Sequence, residues 1–204
     1  ARSLATVRQI RSKRFLIAVG TRPAAPEDVP GDGRIIMTSD EILALENLPD
    51  SMVVVGGGVI GIEYASFFAR LGVQVTLIDR HEKPISFIDS QIVDELMSQM
   101  EAEGVTFLMN DGVASIQALH SPSPHAELTL NSGMKLNTDT VLYSIGRIAA
   151  TDTLDLDRVG VEYDTRGRLS VDEDYRTNVP HIYAAGDVIG FPALAATSSE
   201  QGRI

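Results

Sequence analysis

Short apolar runs alternate with stretches of helical period through the middle of this chain, and that rhythm predicts its elements. Met52–Val55 is a continuous apolar run, as expected of a strand covered on both faces. After it, Ile60, Tyr64, Phe67, Phe68 and Leu71 recur at helical spacing, and Gly72 supplies a stop. Val73–Ile78 reads as the next strand. Asp89 can cap a helix with Ile92, Val93, Leu96, Met97 and Met100 on one face, stopped by Gly104. Val105–Met109 is a third strand. Three strands separated by two helices predict right-handed crossovers and a parallel sheet, an α/β fold.

The flanks read differently. Phe15–Val19 is an apolar run closed by Gly20 and the turn Thr21-Arg22-Pro23, which predicts a buried strand ending in a sharp loop. Residues 23–34, rich in Pro, Gly and Asp, read as a crossing linker. Thr38-Ser39-Asp40-Glu41 ahead of Ile42, Leu43 and Leu45 predicts a short capped helix, broken by Pro49-Asp50. Residues 113–138 hold Pro122, Pro124, Asn131-Ser132-Gly133 and an alternating Ala126, Leu128, Leu130, the pattern of a small antiparallel meander. Val141–Ile145 is another buried strand, ending at Gly146-Arg147. Residues 151–180 are polar and loop-rich, His181–Ala185 is a last strand ending at Gly186-Asp187, and Leu194 opens a helix.

Composition narrows the function classes. The 204 residues are 44% hydrophobic and 22% charged, ordinary for a globular protein. No apolar run approaches the roughly 20 residues of a membrane-spanning helix, and no signal-peptide pattern opens the chain. With no Cys there is no disulfide framework or thiolate metal site, and the expected setting is cytoplasmic. A net charge of −11 argues against a nucleic-acid partner. The basic cluster of Arg8, Arg11, Lys13 and Arg14 reads as a solvated edge. His81, His120, His125 and His181 lack metal-ligand spacing, and no Ser sits in a nucleophile-elbow pattern, so neither a metal site nor a catalytic side chain is expected.

The strongest signal is Gly56-Gly57-Gly58-Val59-Ile60-Gly61, a G-x-G-x-x-G loop in its required context, directly after a strand and directly before a helix. Gly56 permits the tight turn, Gly58 lets the backbone approach a pyrophosphate, and Gly61 lets helix and strand pack closely. The helix N-terminus then presents free N–H groups to phosphates. This predicts a Rossmann-type NAD(P)-binding domain over residues 46–148. Asp79 ends the second strand, where an acid accepts hydrogen bonds from the adenine ribose and favours NAD over NADP. Its neighbour Arg80 is placed to pair with a 2′-phosphate instead, so the preference stays open.

Three strand ends share one shape: Phe15–Gly20, Val141–Gly146 and His181–Asp187. With the glycine fingerprint between the first and second, this order resembles the pyridine nucleotide-disulfide oxidoreductase family over nearly the whole chain. Within it, Phe87-Ile88-Asp89, Gly146-Arg147 with Thr151–Leu154, Gly186–Ala195 and the ending Glu200–Ile204 are similar to the soluble pyridine nucleotide transhydrogenases. Dihydrolipoamide dehydrogenases show His-Lys where Ala196-Thr197 stands here.

The resemblance implies that residues 1–45 and 149–204 are parts of an FAD-binding domain interrupted by the nucleotide domain. It implies that Asp187 hydrogen-bonds the FAD ribityl chain and that the backbone of Ala195 lies near the flavin. It further implies that Gly56, Gly57, Gly58, Val59, Ile60, Asp79, Val113 and Gly146 contact NAD(P), with Glu63 and Arg147 near the nicotinamide and pyrophosphate. Glu63 also reads as a solvated first-turn acid, and Arg147 as one half of a structural salt bridge. An N-terminal FAD fingerprint, a redox Cys pair and a C-terminal dimer domain are not found in this sequence, so the chain is read as partial and the parent as a homo-oligomer. The implied activity is hydride transfer from NADPH through FAD to NAD⁺. A dihydrolipoamide dehydrogenase-like enzyme and a non-catalytic NAD-binding module are the alternatives.

Overall fold

The computed structural model describes residues 9–24, 29 and 31–203. The first elements among the described residues are two short strands, β1 (Phe15–Ile17) and β2 (Thr21–Pro23). It then builds β3 (Ile36–Thr38), β4 (Ser51–Val55), α1 (Val59–Arg70), β5 (Gln74–Asp79), α2 (Ser90–Ala102) and β6 (Thr106–Met109). The strands β7 (Val113–Leu119), β8 (His125–Leu130), β9 (Lys135–Thr138) and β10 (Thr140–Tyr143) follow. The last elements are β11 (Arg147–Ala149), β12 (Ile182–Ala184) and α3 (Ala195–Gln201). These fall into two compact units, residues 23–146 and residues 1–22 with 147–204.

The unit 23–146 is the predicted α/β fold. Its five-stranded parallel sheet runs β3-β10-β4-β5-β6, and β7-β8-β9 form the antiparallel meander. Alternation along β4 explains its unbroken apolar run. Met52 and Val54 face a core shared with Ile62, Ala65 and Phe68 of α1 and Met100 of α2. Val53 and Val55 face the opposite core, closed by Ile116, Ala126, Leu128 and Leu130 of the meander. The sheet is therefore covered on both sides, as parallel sheets require. Asp89 caps α2 as expected, accepting a hydrogen bond from the Gln91 amide at 2.9 Å.

Several expectations need correction. β3 lay unrecognised at the end of the linker; it pairs in parallel with β10, and the compact unit that holds this sheet runs from Pro23. Asp32 launches β3: its Oδ1 accepts from the amides of Arg34, Ile35 and Ile36 at 3.0, 2.8 and 3.0 Å. The capped helix after Thr38 is a single 3-10 turn, Glu41–Ala44. Its stabilising contact runs backward, from the Thr38 amide and hydroxyl to the Glu41 carboxylate at 2.8 and 2.9 Å. On the helical stripes, Phe67 and Ile92 are exposed, while Phe68 and Val93 carry the packing. Residues 25–28 and 30 of the linker, and Arg8 of the basic cluster, lie outside the described residues; Arg11, Lys13 and Arg14 are exposed.

In the other unit, β1 pairs in parallel with β12, and β2 lies beside β11 in a second two-stranded sheet. Its core gathers Ala149, Leu156, Val161, Leu169, Ile182, Ala184 and Val188, with Ile17 packed against it. Phe15–Val19 is not the buried strand expected. The strand stops at Ile17, and Phe15, Leu16 and Val19 are exposed, since β12 is the only strand beside it among the described residues. Among the described residues no helix is long and apolar enough to cross a membrane.

Candidate functional site

The glycine loop joins β4 to α1, and each glycine in it is constrained differently. Gly56 has φ +108°, and a Cβ on it would meet the Ser144 carbonyl oxygen at 2.7 Å. Gly61 sits in the first turn of α1, where a Cβ would lie 1.9 Å from the Gly56 oxygen. Both positions need glycine because strand, loop and helix crowd together there. A Cβ on Gly57 would touch Pro84 and the Asp79 carboxylate at 3.0 and 3.2 Å.

Gly58 contrasts with all three. It is exposed, its φ of −73° suits any residue, and a Cβ there would meet nothing within 4 Å. No protein atom demands a glycine, so the open space in front of it is the natural approach for a ligand. Gly58 is the N-cap of α1 and offers no side-chain capping bond, and no acid lies in the first turn. The leading amides of Val59 and Ile60 have no acceptor within the helix and carry the positive end of its dipole. Such a cradle fits a pyrophosphate. Glu63, exposed, lies in the second turn rather than the first.

Asp79 closes the loop from the side. Its Oδ2 accepts from the Gly57 amide at 2.5 Å, and its Oδ1 accepts from the amide and the ring Nδ1 of His81 at 2.8 and 2.6 Å. Burial pushes its carboxyl up, but the His81 and Gly57 amides and the His81 ring outweigh that and hold it below the usual carboxylate range. Asp79 therefore stands ionised at neutral pH. Arg80 is exposed, and its side-chain stem runs alongside Gly112, where a Cβ would meet Arg80 Cγ at 3.1 Å and Asn131 Nδ2 at 2.9 Å. Burial raises the Tyr143 hydroxyl, and the charge of Arg80 partly offsets this. Val113 begins β7, half-buried, where the β7–β8 register shifts. Gly146, at φ +118°, accepts from the Ala24 amide at 2.9 Å.

The remaining candidates belong to the other unit. Arg147 donates from Nε to the Thr21 hydroxyl at 2.7 Å and from a terminal nitrogen to the Thr21 carbonyl at 2.8 Å. The Thr21 hydroxyl in turn donates to Asp187 Oδ2 at a long 3.5 Å. Asp187 is half-buried and follows Gly186, whose φ of +82° turns the chain at the end of β12. Ala195 is the first residue of α3 and is exposed.

His81, Gly112 and Asn131 are the site neighbours that sequence reading missed. The Asp-x-His spacing at a strand end was a usable signal for His81. The sequence marks Asn131 only as a turn residue and Gly112 not at all; the approach of the Arg80 stem and Asn131 to Gly112 is tertiary.

The family described as pyridine nucleotide-disulphide oxidoreductase matches residues 3–202. The soluble pyridine nucleotide transhydrogenase of Mycobacterium bovis is 49% identical over 190 residues, covering 93% of this chain and 40% of the relative. That of Chromohalobacter salexigens is 44% identical over 197 residues, covering 97% and 42%. The chain thus spans about two fifths of the length of these curated relatives. Among solved structures, the HOCl-induced flavoprotein disulfide reductase RclA from Escherichia coli superposes with a TM-score of 0.86 at 28% identity, covering 96% of this chain and 44% of that one. LpdA from Mycobacterium tuberculosis gives 0.84 at 31% identity, covering 92% and 40%.

Proposed function

This chain belongs to the pyridine nucleotide-disulphide oxidoreductase family, and from that premise we propose that it forms the central part of a cytoplasmic, homo-oligomeric flavoprotein that exchanges hydride between nicotinamides, NADPH + NAD⁺ giving NADP⁺ + NADH. The observation that carries the reading is the contrast at the loop: Gly56 and Gly61 are fixed by protein atoms, while Gly58 faces open space at a helix N-terminus. That contrast is what a dinucleotide pyrophosphate requires. The identity to soluble transhydrogenases supports the choice of reaction.

In this reading Gly58, Val59 and Ile60 hold the pyrophosphate with backbone amides, while Gly57, whose amide is bonded to Asp79, lines the cradle. Asp79 meets the adenine ribose, and Val113 and Gly146 border the nucleotide. Glu63 and Arg147 lie toward the nicotinamide and pyrophosphate. The carboxylate of Asp187, turned by Gly186, fits an FAD ribityl chain, because sugar hydroxyls donate to an acceptor-only group. The backbone of Ala195 is assigned to the flavin by the family pattern. FAD, when bound, supplies the two-electron relay between the nicotinamides. No side chain of this chain is required to move a proton.

A disulfide reductase is the second reading, favoured by the likeness to RclA. The full-length protein decides between them. The expected result is anaerobic bleaching of its flavin by NADPH and recovery on adding NAD⁺, with thio-NAD⁺ reduced by NADPH at steady state. Turnover of disulfides, with no transfer to thio-NAD⁺, overturns the transhydrogenase reading.

A further inference from the structure

His81 lies two residues past Asp79 and turns its ring back onto the same carboxylate. An ionised carboxylate only accepts hydrogen bonds, and each oxygen has two lone pairs. On Asp79, Oδ1 spends both, one on the His81 amide and one on the His81 ring, whose Nδ1 must carry the proton to face an acceptor. Oδ2 spends one on the Gly57 amide. One lone pair is left. A ribose diol offers two hydroxyl donors, and an acid that clasps both discriminates against a 2′-phosphate twice, by lost bonds and by charge.

We propose that His81 is a specificity-determining residue: by holding Oδ1 it limits Asp79 to a single hydrogen bond with the adenine ribose, so that 2′-hydroxyl and 2′-phosphate dinucleotides are both accepted. This rests on the reading of the glycine loop as the NAD(P) site. The His81 donor also draws off the negative charge that a 2′-phosphate would face, and Arg80, on the adjacent residue, adds a positive one. The strand-end acid of an NAD-selective site is here built into a permissive one. The His81 side chain is 64% exposed against 13% for Asp79, so its replacement leaves the core untouched.

The test is calorimetric binding of NAD⁺ and NADP⁺ to the full-length protein and its variants. His81→Ala frees the second lone pair of Oδ1. The expected result is a shift of the NAD⁺-to-NADP⁺ affinity ratio toward NAD⁺ by roughly five-fold or more, the worth of one hydrogen bond. His81→Gln keeps a donor and stays nearer the wild-type ratio. In an Asp79→Asn background, His81→Ala moves the ratio no further, because the effect runs through the carboxylate. A wild type that binds both dinucleotides, with a ratio in His81→Ala that is unchanged or moved toward NADP⁺, overturns this inference alone. A wild type that binds neither overturns the NAD(P)-site reading and the inference with it.

Discussion

A side chain at Gly61 would have to share space with the Gly56 carbonyl, whereas one at Gly58 would enter open solvent. The two substitutions therefore separate folding from binding. Gly61→Ala forces strand and helix apart and is expected to cost about 3 kcal/mol in urea denaturation. Gly58→Val is expected to leave stability within about 0.5 kcal/mol and to weaken NAD⁺ roughly ten-fold or more. Unchanged NAD⁺ affinity in Gly58→Val would mean that the loop cradles no phosphate. Most of this loop was legible in the sequence, because glycine spacing between a strand and a helix reports local geometry. The partners of Asp79 were less so, with only the Asp-x-His spacing pointing to one of them. Its position is set by the strand, but which donors reach it depends on where the chain turns after Asp79.

At the scale of elements, the long periodic pieces were legible and the short ones were not. The strands β4 and β5 and the helices α1 and α2 each bury enough side chains to print a pattern on the sequence. The three residues of β3 cannot, and its place in the sheet comes from pairing with β10 and from the Asp32 turn before it. Burial pushes the Asp32 carboxyl up, but the amides of Ile36, Arg34 and Ile35 and the nearby His120 prevail and hold it below its ordinary value. A carboxyl depressed in the folded state adds stability above its unfolded pKa and loses it as pH falls through the folded one. Asp32→Asn should therefore be less stable than wild type at pH 7, with the gap closing in acid. Denaturant midpoints measured from pH 7 to pH 2 check this, and a gap independent of pH would show that the charge contributes nothing. The apolar run at Phe15 misled for another reason: an apolar strand looks the same in sequence whether or not the surface it will cover belongs to the same stretch of chain.

For the molecule as a whole, the two units carry separate halves of the proposed chemistry. Asp187→Ala in the full-length protein should lower flavin affinity about 10- to 150-fold, the worth of a hydrogen bond to a charged group, about 1.5–3 kcal/mol. Flavin absorbance per protein after dialysis reads this out, and full retention would remove Asp187 from the flavin site. NAD⁺ binding should survive the change, since the glycine loop belongs to the other unit.

The two points where the chain passes between units lie side by side within each unit. Arg147 holds the hydroxyl and carbonyl of Thr21 within one unit, and Gly146 receives the Ala24 amide within the other. A segment whose ends are already clasped can be exchanged as a cassette, because neither host nor guest has to stretch to meet the other. For a lineage drawing on a pool of genes, nucleotide preference would then be portable: recombination at Arg22–Pro23 and Gly146–Arg147 would replace the residues proposed to choose between NAD and NADP while leaving those proposed for the flavin in place.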